Sequence, residues 1–566
     1  MKVLQHYNQP LLEIENLSFL YEEEGKHILK DVSFRIFQQE NILLLGPSGS
    51  GKSTLAYCLN RLYPEGVEGA LHGSIFYRGK NIEQFESGEI NQRIGIVFQD
   101  PDSQFCMLSV EDELAFVLEN HNVPPDKMEE RIDETLELVG LSLFKTAMIS
   151  SLSGGQKQKL ALACVLMMNP TLLILDEPTA NLDPLSSQEL IQTISVLQKK
   201  RGFSMFIVEH RLNDWINLID RCIVFNQKGS ILYEGDPKTC FGLHAASLKK
   251  QGIWLPSPTE VGLMAQQMGH YQPANIPLTT KELVLGLENF EEVTKELFTK
   301  VVPRKDPKNT LLKINNLSFE KEGIAILKNI NLSVVKGEYI ALVGPNGSGK
   351  TTLSKCMAGL LSPTKGSVAY KNKDLTEWKS SSLWREIGYV FQNPEHQFVT
   401  DSVWEELVYG LRLDGKSEET IKALTIETLK SLGLEKQKDD HPFMLSQGQK
   451  RRLSVATMLT TKNNLLILDE PTFGQDAKTS QELMSLLEEH AYHGGTTIMI
   501  THDMDLVQKH ADRVIVLKEG SLLFDGSPEL LWQHKDLLQK ARLKLPFEKE
   551  LINAYHFYIR NERYVP

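Results

Sequence analysis

Short apolar runs ending in polar residues recur along the chain. They are Asn41 to Gly46, Leu172 to Glu177, Met205 to His210, Tyr339 to Gly344, Leu465 to Glu470 and Thr497 to His502. Runs of this length without alternation predict strands buried on both faces of a parallel sheet, although a buried helix segment has the same pattern. Helical stretches lie between the runs, so an α/β fold is expected. Residues 253–308 break the rhythm. Pro256-Ser257-Pro258-Thr259 opens this joint, Glu260 to Ala265 has a helical pattern, and Ile276 to Leu283 offers a Thr cap followed by a second helix. The tail beyond about residue 530 is also helical in pattern.

The pattern is written twice. Leu11 to Phe19 returns as Leu311 to Phe319. Gly46-Pro47-Ser48-Gly49-Ser50-Gly51-Lys52-Ser53-Thr54 returns as Gly344-Pro345-Asn346-Gly347-Ser348-Gly349-Lys350-Thr351-Thr352. Val97 to Pro101 returns as Val390 to Pro394, and Leu172 to Thr179 returns unchanged as Leu465 to Thr472. Ser153 stands 23 residues before Asp176, and Ser446 stands 23 before Asp469. A repeat of about 295 residues is too long for a solenoid and indicates a duplicated domain. The expected organisation is a first domain over 1–252, a linker with a small helical extension over 253–308, and a second domain over 309–566.

Bulk composition narrows the function classes. At 566 residues two or more domains are expected. A net charge of −12 gives no electrostatic reason to bind nucleic acid. None of the six cysteines forms a Cys-x-x-Cys pair, so neither zinc nor an iron–sulfur cluster is suggested, and a reducing compartment fits best. Met1 to His6 has no apolar core of a signal peptide, and no stretch approaches a bilayer-spanning length. A role at a membrane would need an anchor in another protein.

Gly46-x-x-x-x-Gly51-Lys52-Ser53 is a P-loop. Its glycines let backbone N–H groups turn inward onto phosphate oxygens, and the helix that follows adds positive potential. Lys52 is expected on the β- and γ-phosphates and the Ser53 hydroxyl on Mg²⁺, with Lys350 and Thr351 repeating those roles. Asp176 and Asp469 end apolar strands, as Walker B aspartates that hold Mg²⁺ through its water shell. Glu177 and Glu470 follow directly and are candidates to deprotonate the attacking water. An acidic turn at a strand end is the plainer reading of each pair.

Leu152-Ser153-Gly154-Gly155-Gln156 starts another helix with its N-terminus free for phosphate. With the P-loops upstream, the chain resembles the nucleotide-binding subunit of ATP-binding cassette (ABC) transporters. The second copy reads Leu445-Ser446-Gln447-Gly448-Gln449, departing at Gln447; the resemblance implies a working signature whose strength alone is in question. It also implies an antiparallel β subdomain and a helical signature subdomain in each half, and ATP with Mg²⁺ as cofactors. Gln99 and Gln392 match the Q-loop glutamine that touches Mg²⁺ and its water. Asp183 and Asp476 match the D-loop. His210 and His502, 34 and 33 residues beyond the Walker B aspartates, match the switch histidine. Tyr21 matches the aromatic that stacks on adenine, although core packing is its alternative, and its counterpart is Lys321. The two cassettes are expected to close head to tail, pairing Lys52 with Ser446 and Lys350 with Ser153.

The Q-loop surroundings, Val97 to Phe105 and Val390 to Phe398 with acidic helices after them, resemble the ATPases of energy-coupling factor (ECF) importers of vitamins, cobalt or nickel. So do Glu209-His210-Arg211-Leu212, Thr501-His502-Asp503 and the stretch at 277–283. A fused pair resembles the hydroxymethylpyrimidine/thiamine import ATPases. This implies an ATPase (ATP and water to ADP and phosphate) at the cytoplasmic face of the cell membrane. Its partners would be an integral transmembrane subunit and a substrate-binding membrane subunit. Asp102 and Glu395 are candidates to meet basic helices of the former. Other classes fit less well. A ribosomal tandem ATPase would carry a long, charged helical linker. A DNA-repair or chromosome-scaffold ATPase would carry zinc inserts or heptad arms. A catalytically dead module would have lost the Lys, Asp, Glu, Gln and His that both halves keep.

Overall fold

The computed structural model describes residues 9–21, 25, 27–86, 88–271, 276–298, 309–413, 415–461 and 463–562, with side chains to 559. The hexapeptide Met1 to His6 and parts of the joint (272–275 and 299–308) therefore lie outside the described residues. The chain divides into two compact units, Met1–Glu288 and Asn289–Pro566.

In the first unit six strands form one sheet in the order Ile231–Gly235, Arg221–Phe225, Asn41–Leu45, Ser204–Val208, Leu172–Asp176 and Ile94–Val97. All neighbours are parallel except the outermost pair, Ile231–Gly235 on Arg221–Phe225. The apolar runs are buried because both faces of this sheet are covered. A second, antiparallel sheet runs His27–Ile36, Leu12–Tyr21, Gly69–Tyr77, Lys80–Asn81. Helices Val110–Asn120, Met128–Val139 and Gly154–Leu166 pack together as a helical layer.

The second unit repeats this plan. Its six-stranded sheet runs Ile387–Val390, Leu465–Asp469, Thr496–Ile500, Tyr339–Val343, Arg513–Lys518, Ser521–Gly526, with only the last pair antiparallel. Its antiparallel sheet is built on Thr310–Lys321, and its helical layer on Val403–Leu413, Glu418–Leu432 and Gln447–Thr460. In both units the P-loop strand is interior to the sheet, so the loop leaves from the carboxyl ends of parallel strands, where open α/β sheets present their ligand crevice.

The joint is mostly folded. Ser257–Gln267 and Thr280–Gly286 are helices, the second opened by a reciprocal capping box between Thr279 and Glu282. The Phe290–Leu297 helix lies in the second unit, where Phe290 stacks on Tyr555 with ring centroids 3.7 Å apart. The tail forms Pro528–Trp532, Lys535–Lys540 and Phe547–Glu562. In each unit the residue three beyond the switch histidine holds the start of a later helix, Ser257–Gln267 in the first and Phe547–Glu562 in the second. Asn213 exchanges two 2.8 Å hydrogen bonds with Ser257, and Asp505 accepts one of 2.6 Å from the Phe547 N–H.

Trp215, in the same post-histidine segment, is fully enclosed in the first unit's core. Trp215→Ala is expected to cost that unit about 3–5 kcal/mol by leaving a cavity, read as a lower urea midpoint for its unfolding. All six cysteines are free, and only Cys106 among them is exposed.

Candidate functional site

Each P-loop is a turn held from inside. In the first unit Ser50 N–H donates to Pro47 O at 3.2 Å. Gly51 enters the following helix at φ 87°, and a Cβ there would stand 2.9 Å from Leu29 and 3.0 Å from Ile28 O. No other residue fits that approach without strain. Lys52 is buried, and its ammonium donates to Gly46 O at 3.0 Å and Pro47 O at 3.1 Å. Lys350 does the same to Gly344 O and Pro345 O at 2.8 and 2.9 Å. The charge thus sits at the mouth of the loop on exchangeable carbonyl partners.

The strand after the P-loop's neighbour delivers the carboxylates. Ser53 Oγ donates to Asp176 Oδ1 at 3.1 Å. Burial, and then the neighbouring Glu177 charge, push the Asp176 carboxyl up to about 6 against the lowering effect of Ser53, Tyr57 and Lys52. In the second unit burial raises Asp469 while Thr351 and Lys350 lower it, and the Tyr389 hydroxyl lies 3.4 Å from its Oδ2. A hydroxyl and a poorly solvated carboxylate are hard oxygen donors, so both pairs fit a divalent cation such as Mg²⁺.

Glu177 and Glu470 stand one residue on, with φ of 45° and 48°. A left-handed glutamate costs free energy and persists only where its surroundings impose it. Here the main chain is pinned by Glu177 N–H to Val208 O at 2.9 Å and Glu470 N–H to Ile500 O at 3.1 Å. The conformation swings the carboxylate towards the Q-loop and the switch histidine. Gln99 Nε2 donates to Glu177 Oε2 at 3.1 Å, and His210 Nε2 lies 3.2 Å from Glu177 Oε1. Burial alone would raise Glu177, but His210 and Lys52 hold it below the usual carboxylate range. His502 Nε2 lies 3.5 Å from Glu470 Oε1.

The signature residues form a helix start. Ser153 caps Gly154–Leu166: its Oγ accepts from Gln156 N at 3.3 Å, and Gln156 Oε1 accepts from Ser153 N at 2.8 Å. Ser446 and Gln449 build the same box at 3.4 and 2.9 Å, so Gln447 leaves the cap intact. Asp183 and Asp476 cap the helices that follow them, accepting from Ser186 N at 2.9 Å and Thr479 N at 2.8 Å. Tyr21 sits edge-on to Phe19 and Tyr63, its hydroxyl 3.1 Å from Thr54 Oγ1. Lys321 ends its strand exposed.

One buried acid at the site was given no role by the sequence. Buried Glu209 accepts from Thr179 Oγ1, from Thr179 N at 3.3 Å, from His210 N at 3.0 Å and from Arg211 N at 3.3 Å. It ties the segment after Glu177 to the switch loop. Asp102 and Glu395 are already paired inside their own units, to Lys157 at 2.7 Å and Lys450 at 2.6 Å. Both carboxylates stay partly exposed beside their lysines, so a partner's cation would meet an ion pair in place of a lone acid.

The profile of the ABC transporter family matches residues 29–180 and 327–473. A Bacillus subtilis (strain 168) protein with the provisional name HMP/thiamine import ATP-binding protein YkoD is 44% identical over 98% of both chains. A Methanosarcina mazei ABC transporter ATP-binding protein, also provisionally named, is 36% identical over 96% of this chain and 93% of its own. Among solved structures, cbiO1 of Clostridium perfringens, part of the ABC transporter complex cbiONQ, is 35% identical, with a TM-score of 0.37 over 43% of this chain and 99% of that one. Each matched stretch runs from the P-loop through the capped Ser-x-Gly-Gln helix to the Asp-Glu strand end, and with this double match the chain belongs to the ABC transporter family, whose ATPase domain it carries twice.

Proposed function

We propose that this chain is the ATP-hydrolysing component of an ECF-type membrane importer, bound at the cytoplasmic face, and that its cargo is hydroxymethylpyrimidine or thiamine. The single observation that carries the catalytic part is the left-handed glutamate. In the first unit one carboxylate, kept ionised, is gripped by Gln99 on one oxygen and faced by His210 on the other. A carboxylate held in that way can accept a proton from water as the water attacks phosphorus. The 44% identity to YkoD along the whole chain supports the cargo. Among the described residues no helix is long and apolar enough to cross a membrane, so the reading requires integral partners.

The roles follow from position. Within Gly46 to Thr54 and Gly344 to Thr352 the backbone N–H groups, those of all but Pro47 and Pro345, surround the phosphates, and Lys52 and Lys350 exchange carbonyl oxygens for phosphate oxygens. Ser53 with Asp176, and Thr351 with Asp469, would hold Mg²⁺, with Gln99 and Gln392 as further candidates, and the ion would supply charge neutralisation at the phosphoryl group. Were the two cassettes to close head to tail, Ser153 with Gly154, Gly155 and Gln156, and Ser446 with Gln447, Gly448 and Gln449, would offer capped helix N-termini to the nucleotide on the opposite P-loop. Asp183 and Asp476 would then edge those sites, His210 and His502 would contact the γ-phosphate, and Tyr21 would support adenine in the first. ATP drives transport only through its different affinity for open and closed cassettes.

Apolar side chains stand exposed close to each Q-loop: Leu108 at 74% and Met148 at 48% in the first unit, Val399 at 70% and Met444 at 72% in the second. Clustered apolar exposure of this kind marks an interaction surface. Capture of the tagged chain from membranes, with identification of the small molecule on the co-purifying integral subunits, tests the reading; recovery of ribosomes in place of integral subunits refutes it. In the same assay Asp102→Ala with Glu395→Ala is expected to weaken capture by about tenfold and to reduce its salt sensitivity. Unchanged capture removes these acids from docking.

A further inference from the structure

The main-chain carbonyl of the Q-loop glutamine is held in both units, but by different elements. In the first, Asn181 Nδ2 donates to Gln99 O at 3.2 Å, and Gln158 Nε2 donates to Phe98 O at 3.1 Å. Asn181 stands in the connector between Glu177 and Asp183; Gln158 stands on the signature helix. The connector of the second unit has Gly474 at the matching position, which has no side chain to offer. There the matching residue of the signature helix is Arg451. Its guanidinium donates to Phe391 O at 2.6 Å and also to Gln392 O.

Arg451 is 2% exposed, one of the largest fully buried side chains in the protein. A buried guanidinium is costly unless its donors are used. Burial brings it down to about 10, opposed by the Asp469 and Glu470 charges, so it remains cationic at neutral pH. Both of its terminal nitrogens donate to the Q-loop main chain, through charge-assisted bonds stronger than the amide contact of Gln158, while its buried Nε finds no hydrogen-bond partner. The exchange is reciprocal: where the connector loses its asparagine, the helix gains an arginine that reaches the same carbonyl.

We propose that Asn181 and Arg451 are positioning residues with one task, fixing the main-chain carbonyl of the Q-loop glutamine, performed from different elements in the two units. In the first, that carbonyl is held by the connector leading to Asp183, while the signature helix reaches only the preceding carbonyl through Gln158; in the second, Arg451 of the helix that begins at Ser446 reaches both. A displacement of the glutamine's main chain is therefore passed directly to the connector in the first unit and to the signature helix in the second, which makes the two nucleotide sites respond unequally to the same input. This rests on the reading of Gln99 and Gln392 as glutamines of an ATPase.

The test uses the full chain with each unit's residue exchanged for the other's. Asn181→Gly is expected to lower kcat for ATP by about tenfold with KM for ATP and melting temperature nearly unchanged, because loss of a fixed geometry acts on the chemical step. Adding Gln158→Arg to Asn181→Gly is expected to restore kcat to within about twofold of the parent, since an interaction regained from the other side makes the pair non-additive. Arg451→Gln is expected to lower kcat by about ten- to a hundredfold with nucleotide binding retained. Parental kcat in both Asn181→Gly and Arg451→Gln overturns the proposal. So does failure of Gln158→Arg to rescue Asn181→Gly. The rescue arm remains decisive if Arg451→Gln does not fold, because Asn181 is exposed. A parent chain that binds ATP without ever hydrolysing it refutes the proposed function instead.

Discussion

The double variant Glu177→Gln, Glu470→Gln will bind ATP as tightly as the parent and hydrolyse it about 10²- to 10⁴-fold more slowly, the scale of a lost general base. The geometry makes this a clean substitution. Gln has the size of Glu, so the left-handed backbone at φ 45° and 48° and the main-chain bonds to Val208 and Ile500 are kept. What disappears is the basic oxygen. In the first unit the lost carboxylate is the one His210 and Lys52 hold ionised and Gln99 orients. Single-turnover hydrolysis alongside binding of a fluorescent ATP analogue separates the two effects. Parental turnover in the double variant would remove both glutamates from the reaction.

Lys52→Ala with Lys350→Ala is expected to act on binding instead. Each ammonium is buried and donates to two carbonyls of its own loop. A hydrogen bond to a charged group contributes about 1.5–3 kcal/mol, so removing it should weaken ATP by roughly ten- to 150-fold per site. The folded protein should survive, because alanine is a good helix former at that first helical position. Titration with the same analogue reads the loss, and a melting curve confirms the fold. Parental affinity would mean the phosphates lie elsewhere.

Much of this site was legible because its chemistry is local. A strand end followed by Gly-x-x-x-x-Gly-Lys, or by Asp-Glu, fixes the direction of those side chains within a few residues, and both copies are built as read. The signature was legible in one further respect: Ser153-x-x-Gln156 and Ser446-x-x-Gln449 have the spacing of a capping box, which explains why Gln447 leaves the helix start undisturbed. Contacts between distant segments were not legible. Lys157 and Lys450 reach Asp102 and Glu395 across 55 residues in each copy, and only that equal spacing hinted at the pairing. The acids alone suggested an outside partner. The positive φ of Glu177 and Glu470 has no sequence signal, because it is imposed by the strand alongside. The exchange of Asn181 for Arg451 needs the fold itself, since connector and signature helix are distant in sequence from the Q-loop carbonyl they reach.

The proposed ATPase requires head-to-tail closure, in which each triphosphate would be gripped by one unit's P-loop and the other unit's signature helix. The most direct measurement is a crystal structure of the Glu177→Gln, Glu470→Gln protein loaded with Mg²⁺ and ATP. Ser446 Oγ is expected at about 3 Å from the γ-phosphate held by Lys52, and Ser153 Oγ at the same distance from that held by Lys350. Two nucleotides each touched by a single unit, with both serines far from any phosphate, would contradict it.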